Sequence, residues 1–481
     1  YLGAALRLVH GAVPYRDFVV VHPPGIVVLM APLAALGSVF GSDTSLALAR
    51  DLTALVAAAN VVLAALAVRH RGVRAAVVAA AGLACFPMAP AADSTLLLEP
   101  YLVFFCLLGL VLMFHQGRLA PPRRVLLGGM AIGMAGSVKI WAGLIAASLA
   151  VVCLKRIRSA LVPFLAGCTV GLGAVCLPFL ALAPGAFVRD VLIDQFNRVS
   201  TGSAVLSFAK RVWVVSGFPA LTLPAAVWLA GAAAACFTVM AAASLLLHRR
   251  DLLPADVAVV LCCGAAIAAM WVPNDVYAHY VYFPAAFVVL VVGVCTGLRP
   301  QPRPGPGLRR RRAAAAAVLL AVAAFSLTEQ AGYAERNLTA ARSGAVLNLF
   351  VPPHTCVVTD DAVVTVAADL FDRQPAHCPK MVDAFGTWLA EGPAHEPPTA
   401  SIGRTPFTGP YVGPFPAAFV NRWGRWLSQA DWVVQVAKTS SYIPWTPQLR
   451  AWFSRDFELV TGSSELWVYK HVRRTPPPVA P

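Results

Sequence analysis

Residues 11–25, Gly11-Ala-Val-Pro-Tyr-Arg-Asp-Phe-Val-Val-Val-His-Pro-Pro-Gly25, set charge, a ring hydroxyl and a double proline directly before a long apolar run. A polar loop in that position lies at a bilayer surface, because the sequence beyond it is of membrane type. The chain is 58% hydrophobic and 13% charged, with a mean hydropathy of +0.70, whereas a soluble domain is roughly 45 to 50% apolar. Apolar stretches fall at about 46–68, 74–91, 94–114, 125–138, 140–154, 159–183, 220–247, 253–272, 279–297 and 313–329, several of them beyond the roughly 18 residues that mark a spanning helix. Their Ala, Val and Leu content predicts helices, and the alternating segments of a barrel are absent.

The formal net charge of +15 does not describe a nucleic-acid surface, since the Lys and Arg residues sit in short clusters between apolar runs. Arg69-His70-Arg71 with Arg74, Arg118 with Arg123 and Arg124, Lys155-Arg156 with Arg158, His248-Arg249-Arg250, and Arg309 to Arg312 alternate with loops poor in Lys and Arg. By the positive-inside rule these clusters are cytoplasmic. That parity requires residues 26–40 not to cross, so this stretch, opened by Pro23 and Pro24 and closed by Gly41, is expected to lie as a helix in the outer interface. It also places Lys139 at a turn near the outer side.

From Tyr333 onward the sequence becomes polar, with short β-rich runs such as Cys356-Val-Val-Thr359 and Asp431 to Val436. The expected architecture is an all-α polytopic membrane bundle of about ten spans plus the interfacial helix, with a C-terminal α/β extracytoplasmic domain. Its expected parts are a first loop and interfacial helix (1–45), a transmembrane bundle (46–330) and a soluble domain (331–481). Nine of the eleven cysteines lie in or beside apolar spans, where Cys behaves as a small hydrophobe. Cys356 and Cys378 stand in polar sequence and are either a disulfide or two thiols.

The Gly-x-x-Pro-Tyr-Arg-Asp-Phe run followed by His-Pro-Pro-Gly resembles the first extracytoplasmic loop of the GT-C superfamily, polytopic glycosyltransferases that use polyprenyl-phosphate sugars. Two further elements carry the resemblance: Gly133-Met-Ala-Gly-Ser-Val-Lys139, similar to a Gly-x-x-x-x-x-Lys segment, and Asn274-Asp-Val-Tyr-Ala-His279-Tyr280, similar to a His-Tyr element before a late span. Protein O-mannosyltransferases and aminoarabinose transferases belong to this superfamily. The resemblance implies that a catalytic acid follows a first span, in a position preceding Tyr1, so that further sequence is expected upstream.

The chemistry so implied needs a carboxylate to take the acceptor's proton and cations to hold phosphate. Asp17 is the first-loop carboxylate, with a catalytic role or a loop-structuring one beside Arg16 and the backbone amides. Arg16, His22, Lys139, Arg198, His279 and Tyr280 are the candidate phosphate or substrate ligands. His22 stands where relatives often have lysine, and it is not reliably charged at neutral pH. Lys139 has snorkelling as its competing role, and the tyrosines near His279 have an aromatic belt as theirs. Tyr15, Pro23, Pro24, Asp93, Glu99 and Asp275 are supporting positions; Glu99 lies inside a span and needs a cationic partner. The tail's tryptophans serve either an acceptor site or a core.

The function expected is transfer of a sugar from a polyprenyl-phosphate donor to a lipid, glycan or protein acceptor on the extracytoplasmic face of a plasma membrane. The alternative is a transporter or flippase of a lipid-linked or small polar substrate. No HExxH, paired CxxC or Ser-His-Asp pattern marks another enzyme class. A divalent metal held by outer-loop carboxylates stays open.

Overall fold

The computed structural model describes residues 1–196, 223–271, 277–298, 344–391, 415–436, 442–463 and 466–480, with a few positions between 324 and 331. Arg198, Asp275, the run Arg309 to Arg312 and a glycosylation sequon at Asn337 lie outside the described residues. Two compact units form. Tyr1–Ala49, Pro178–Ser203 and Leu338–Pro481 make the first; Arg50–Leu177 and Ala204–Asn337 make the second.

In chain order the elements begin α1 (Leu2–Val9), α2 (Gly25–Phe40), α3 (Ser42–Val68), α4 (Val73–Ala84), α5 (Ala89–Asp93), α6 (Glu99–Met113), the hairpin β1 (Phe114–His115) and β2 (Arg118–Leu119), α7 (Pro122–Val138), α8 (Ala142–Cys153) and α9 (Val162–Leu182). Helices Leu223–Leu247, Pro254–Ala269 and Tyr282–Leu298 follow. Among the described residues, three helical runs are long and apolar enough to cross a membrane: Ser42–Arg71, Ala142–Leu182 and His279–Leu298.

The expected span at 74–91 is a shorter helix, because α4 stops at Ala84 just before Phe86-Pro87, where proline has no N–H to continue the ladder. The expected span at 94–114 likewise starts only at Glu99, with Pro100 in its first turn. The Ala142–Leu182 run tightens and then widens through residues 154–161, where Lys155, Arg156 and Arg158 interrupt the apolar sequence.

α7 and α9 touch through their main chains. A Cβ on Gly129 would meet the Phe164 carbonyl oxygen at 2.2 Å, and one on Gly133 that of Cys168 at 2.3 Å. Gly167 and Gly171 make the reciprocal approach to Leu126 and Met130. Each helix thus carries a Gly-x-x-x-Gly face, the small-residue stripe that lets membrane helices pack by close contact.

In the first unit, β3 (Val357–Thr359) runs parallel to β4 (Trp432–Val436), which pairs antiparallel with β6 (Leu466–His471), itself antiparallel to β5 (Phe457–Gly462). The strand order is β3-β4-β6-β5. Alternate residues feed two cores: Val358, Val433 and Tyr469 join Trp388, Trp423 and Phe453 on one face, while Val357, Val434 and Val468 join Leu347 and Leu370 on the other. Burial of both faces explains why β4 reads as a nearly continuous apolar run. Trp423, Trp432, Trp445, Trp452 and Trp467 are core residues of these clusters; Trp426 is half-buried beside them. Cys356 and Cys378 form a disulfide with a Cα–Cα distance of 5.3 Å.

Candidate functional site

The first loop is folded by its own side chains. The backbone bonds Tyr15 N to Phe18 O (2.8 Å) and Asp17 N to Val13 O (2.9 Å) close a tight turn, and Tyr15 takes a left-handed φ of 69° at its apex. The Tyr15 hydroxyl donates to the His22 carbonyl at 2.6 Å, tying the turn to the double proline. Its ring packs edge-on to Phe187 at 4.9 Å. Pro24 precedes the first residue of α2 with φ −75°, a value its ring fixes in advance. The His22 ring lies 5.9 Å from that of Tyr1, and the Gln195 amide donates to the Val21 carbonyl.

Asp17 accepts the Val13 N–H at 2.7 Å and the Arg16 fork at 3.0 and 2.8 Å. The Arg16 hydrogen bond, followed by the one from Val13, holds its carboxyl below the usual carboxylate range. Arg16 and Asp17 line a cavity of about 360 Å³ whose other charged walls are Arg7, Arg189, Lys380, Arg422, Asp383 and Glu391. Among the described residues cations therefore outnumber carboxylates there. Arg7 donates to the Lys380 carbonyl at 3.0 Å and lies 4.4 Å over the Phe18 ring; Arg422 pairs with Glu391. Burial lowers the pKa of both Arg7 and Lys380, as expected of cations withdrawn from water.

Behind Arg189 stands Asp190, fully buried and 2.9 Å from the guanidinium. Burial pushes its carboxyl up to about 6, against the pull of Arg189, and burial also raises Asp194. This unit thus offers a cavity with several cationic walls, bordered by the ionised Asp17.

The second unit holds a separate cluster. Lys139 occupies an extended break directly after α7, φ −152° and ψ 134°. Its Nζ lies 2.6 Å from Glu99 Oε1 and sits 3.6 Å over the Trp141 ring and 3.9 Å over that of Tyr280. Lys139 and Glu99 are 3% and 1% exposed, so neither reaches the interface by snorkelling. His279 stacks on Tyr277 at 5.7 Å and meets Tyr280 edge-on at 4.8 Å. Among the described residues Glu99 Oε2 has no hydrogen-bond partner, which leaves one buried acceptor position open beside the ammonium. Asp93 lies outside this cluster, lining a cavity of about 340 Å³ with Tyr282 and Gln330.

Arg16 with Asp17, Tyr15 with His22, and Glu99 with Lys139, His279 and Tyr280 are therefore the groupings that form. Sequence reading did not single out Arg7, Arg189, Lys380 or Arg422, which are far apart along the chain and meet only in the fold. Trp141 carries a detectable signal, an aromatic two residues from a lone membrane lysine. Among the described residues no group of three or more His, Cys, Asp or Glu side chains is placed to hold a metal ion.

The family model described as dolichyl-phosphate-mannose-protein mannosyltransferase matches residues 34–162. No curated protein matches the chain. Among solved structures, ArnT from Cupriavidus metallidurans bound to undecaprenyl phosphate is similar with a TM-score of 0.52 and 16% identity, over 94% of this chain and 88% of that one. The oligosaccharyltransferase of Archaeoglobus fulgidus, tethered with an acceptor peptide containing the NVT sequon, gives 0.50 at 13% identity, over 98% and 70%. What this chain shares with these two structures is the fold.

Proposed function

We propose that the chain works as a membrane glycosyltransferase that moves a sugar from a polyprenyl-phosphate donor to a lipid, glycan or protein acceptor on the extracytoplasmic face of a plasma membrane. The observation that carries this reading is the GT-C fold over 94% of the chain, matched to a structure bound to undecaprenyl phosphate. The first-loop motif and the Lys139 cluster support it.

In this reaction an acceptor oxygen attacks the anomeric carbon, the carbon–oxygen bond to phosphate breaks, and polyprenyl phosphate leaves with the bonding electrons. The acceptor's proton passes to a carboxylate. In the first unit Asp17 is ionised and suited to take it, while Arg16 and His22 supply donors to an anion. In the second unit Lys139, His279 and Tyr280 supply donors to a phosphate. Arg198 is a further phosphate ligand by its sequence position; Tyr15, Pro23 and Pro24 are supporting positions in the first unit, and Asp93, Glu99 and Asp275 are supporting positions in the second. The bundle of residues 46–330 crosses the membrane about ten times, α2 lies along the outer interface, and residues 331–481 form the outer domain.

Purified protein is to be incubated with a radiolabelled polyprenyl-phosphate sugar and a mixed extract of envelope acceptors. Label moving to acceptor, with release of polyprenyl phosphate, is the expected result. Movement of the intact labelled donor across vesicles without bond cleavage would overturn the reading in favour of a transporter.

A further inference from the structure

Three connections of the second unit meet at one end of its helices. They are the turn Arg69–Arg71 after α3, the β1–β2 hairpin after α6, and residues 251–256 leading into the Pro254–Ala269 helix. One carboxylate ties two of them: Asp256, fully buried, lies 2.9 Å from His70 Nε2 and accepts from Arg71 Nε at 3.0 Å and from the Leu253 N–H at 2.7 Å. Arg71 also donates to the Asp251 carbonyl at 2.7 Å. The hairpin joins through Ala255 N–H to the Gly117 carbonyl at 3.0 Å. Gly117, at φ 78°, fits so closely that a Cβ there would meet Leu253 at 2.4 Å. Basic residues distant in sequence, Arg69, Arg118 and Arg250, thereby flank one end of the bundle.

A cavity of about 280 Å³ opens between the turn and the hairpin. Its exposed lining is Arg69, His115 and Gln116; its remaining lining includes Leu66, Leu110 and Phe114, which are half-buried or buried. Among the described residues no carboxylate lines it. Asp256 commits its oxygens to His70 and Arg71, and among the described residues no carboxylate pairs with Arg69.

We propose that this cavity is a binding site for an anionic phospholipid, the phosphate on Arg69 with His115 and Gln116 as further donors, and the first acyl carbons against Leu110 and Phe114. Two features favour an amphiphile over a soluble anion. The cation borders an apolar wall, and the Arg-rich end of a membrane bundle faces the leaflet that carries anionic lipid. The site is independent of the transferase reading, since it lies at none of the groups that reading uses.

The test uses the full chain in mild detergent, with phosphatidylglycerol and phosphatidylcholine of identical acyl chains, and native mass spectrometry to read lipid retained. Phosphatidylglycerol is expected to be retained about fivefold better, the ratio that about 1 kcal/mol for one arginine at a membrane surface gives. Arg69→Gln is expected to reduce it to the phosphatidylcholine level, while Lys470→Gln, elsewhere in the chain, leaves it unchanged. Should Arg69→Gln fail to fold, Val111→Trp, which fills the cavity, is expected to produce the same loss. Equal retention of the two lipids, no effect of Arg69→Gln or Val111→Trp, or displacement of the lipid by equimolar glycerol 3-phosphate would each overturn the proposal.

Discussion

Lys139 and Glu99 meet at 2.6 Å, the ammonium capped on two sides by Trp141 and Tyr280. Both side chains are nearly inaccessible, so each charge depends on the other for compensation. Removing one partner of such a pair costs about 3 to 5 kcal/mol, whereas removing both is often close to neutral. Glu99→Gln and Lys139→Met are each expected to lower the unfolding temperature in detergent sharply. The double variant is expected to recover most of the loss. Losses that simply add in the double-mutant cycle would show that the pair is not coupled.

Asp17 and Arg16 make the opposite case, an exposed pair in a loop. Such pairs add little to stability, so Asp17→Asn is expected to leave it nearly unchanged while lowering sugar transfer by at least about a hundredfold, the lower range for a lost proton acceptor. Because Arg16 depresses the Asp17 pKa in the fold, the small stabilisation is present above the ordinary aspartate range and disappears as pH falls through the depressed value. Transfer at wild-type rate in Asp17→Asn would remove this residue from the mechanism.

The Asp190 carboxyl, raised by burial to about 6, gives a pH dependence of the other sign. The folded state holds a proton there that the unfolded state has released, so stability falls as pH rises from about 4 to about 6 and is level above that. Asp190→Asn is expected to unfold at a higher temperature than wild type above pH 6, with the gap closing toward pH 4. Parallel pH profiles for the two proteins would contradict this assignment.

The α7–α9 contact predicts severe intolerance at its glycines. A side chain at Gly133 must displace the Cys168 backbone, which lies within 2.3 Å of the Cβ position. Gly133→Leu is expected to abolish recovery of a monodisperse protein by size-exclusion chromatography, whereas Gly143→Leu, where a Cβ meets nothing within 4 Å, is expected to be recovered normally.

The Cys356–Cys378 bond closes a loop with a sequence separation of 22 residues. Cys356→Ala with Cys378→Ala is expected to destabilise the first unit by about 2 to 4 kcal/mol. Limited proteolysis with and without reductant would show it as earlier cleavage between those positions, and identical digestion under both conditions would argue against the bond.

The membrane character of the chain and the helical content of its apolar runs were legible because composition needs no long-range information. So was the break at Lys139, where a cation interrupts two apolar stretches. The ends of α4 and α6 were not, since hydropathy continues through Phe86-Pro87 while the backbone donor pattern does not. The Gly-x-x-x-Gly faces of α7 and α9 were visible as letters, yet their pairing depends on which helices become neighbours. The basic cavity of the first unit was the least accessible feature. Arg7, Arg189, Lys380 and Arg422 have no common motif, and only the folded backbone brings them to one wall.

Helix α1 carries a consequence for biosynthesis. Gly3 packs against Ala362, Phe371 and Val382, and Arg7 bonds to the main chain of Lys380. β3, on the same stretch of chain, finds its first partner only at Trp432 to Val434. α1 meets α2 soon after both are made, but a ribosome must translate several hundred further codons before its contacts with residues 362–382 exist, so this side of α1 is among the last parts of the first unit to be secured. Nascent chains stalled before residue 432 should leave α1 open to protease, and those released after β6 should protect it.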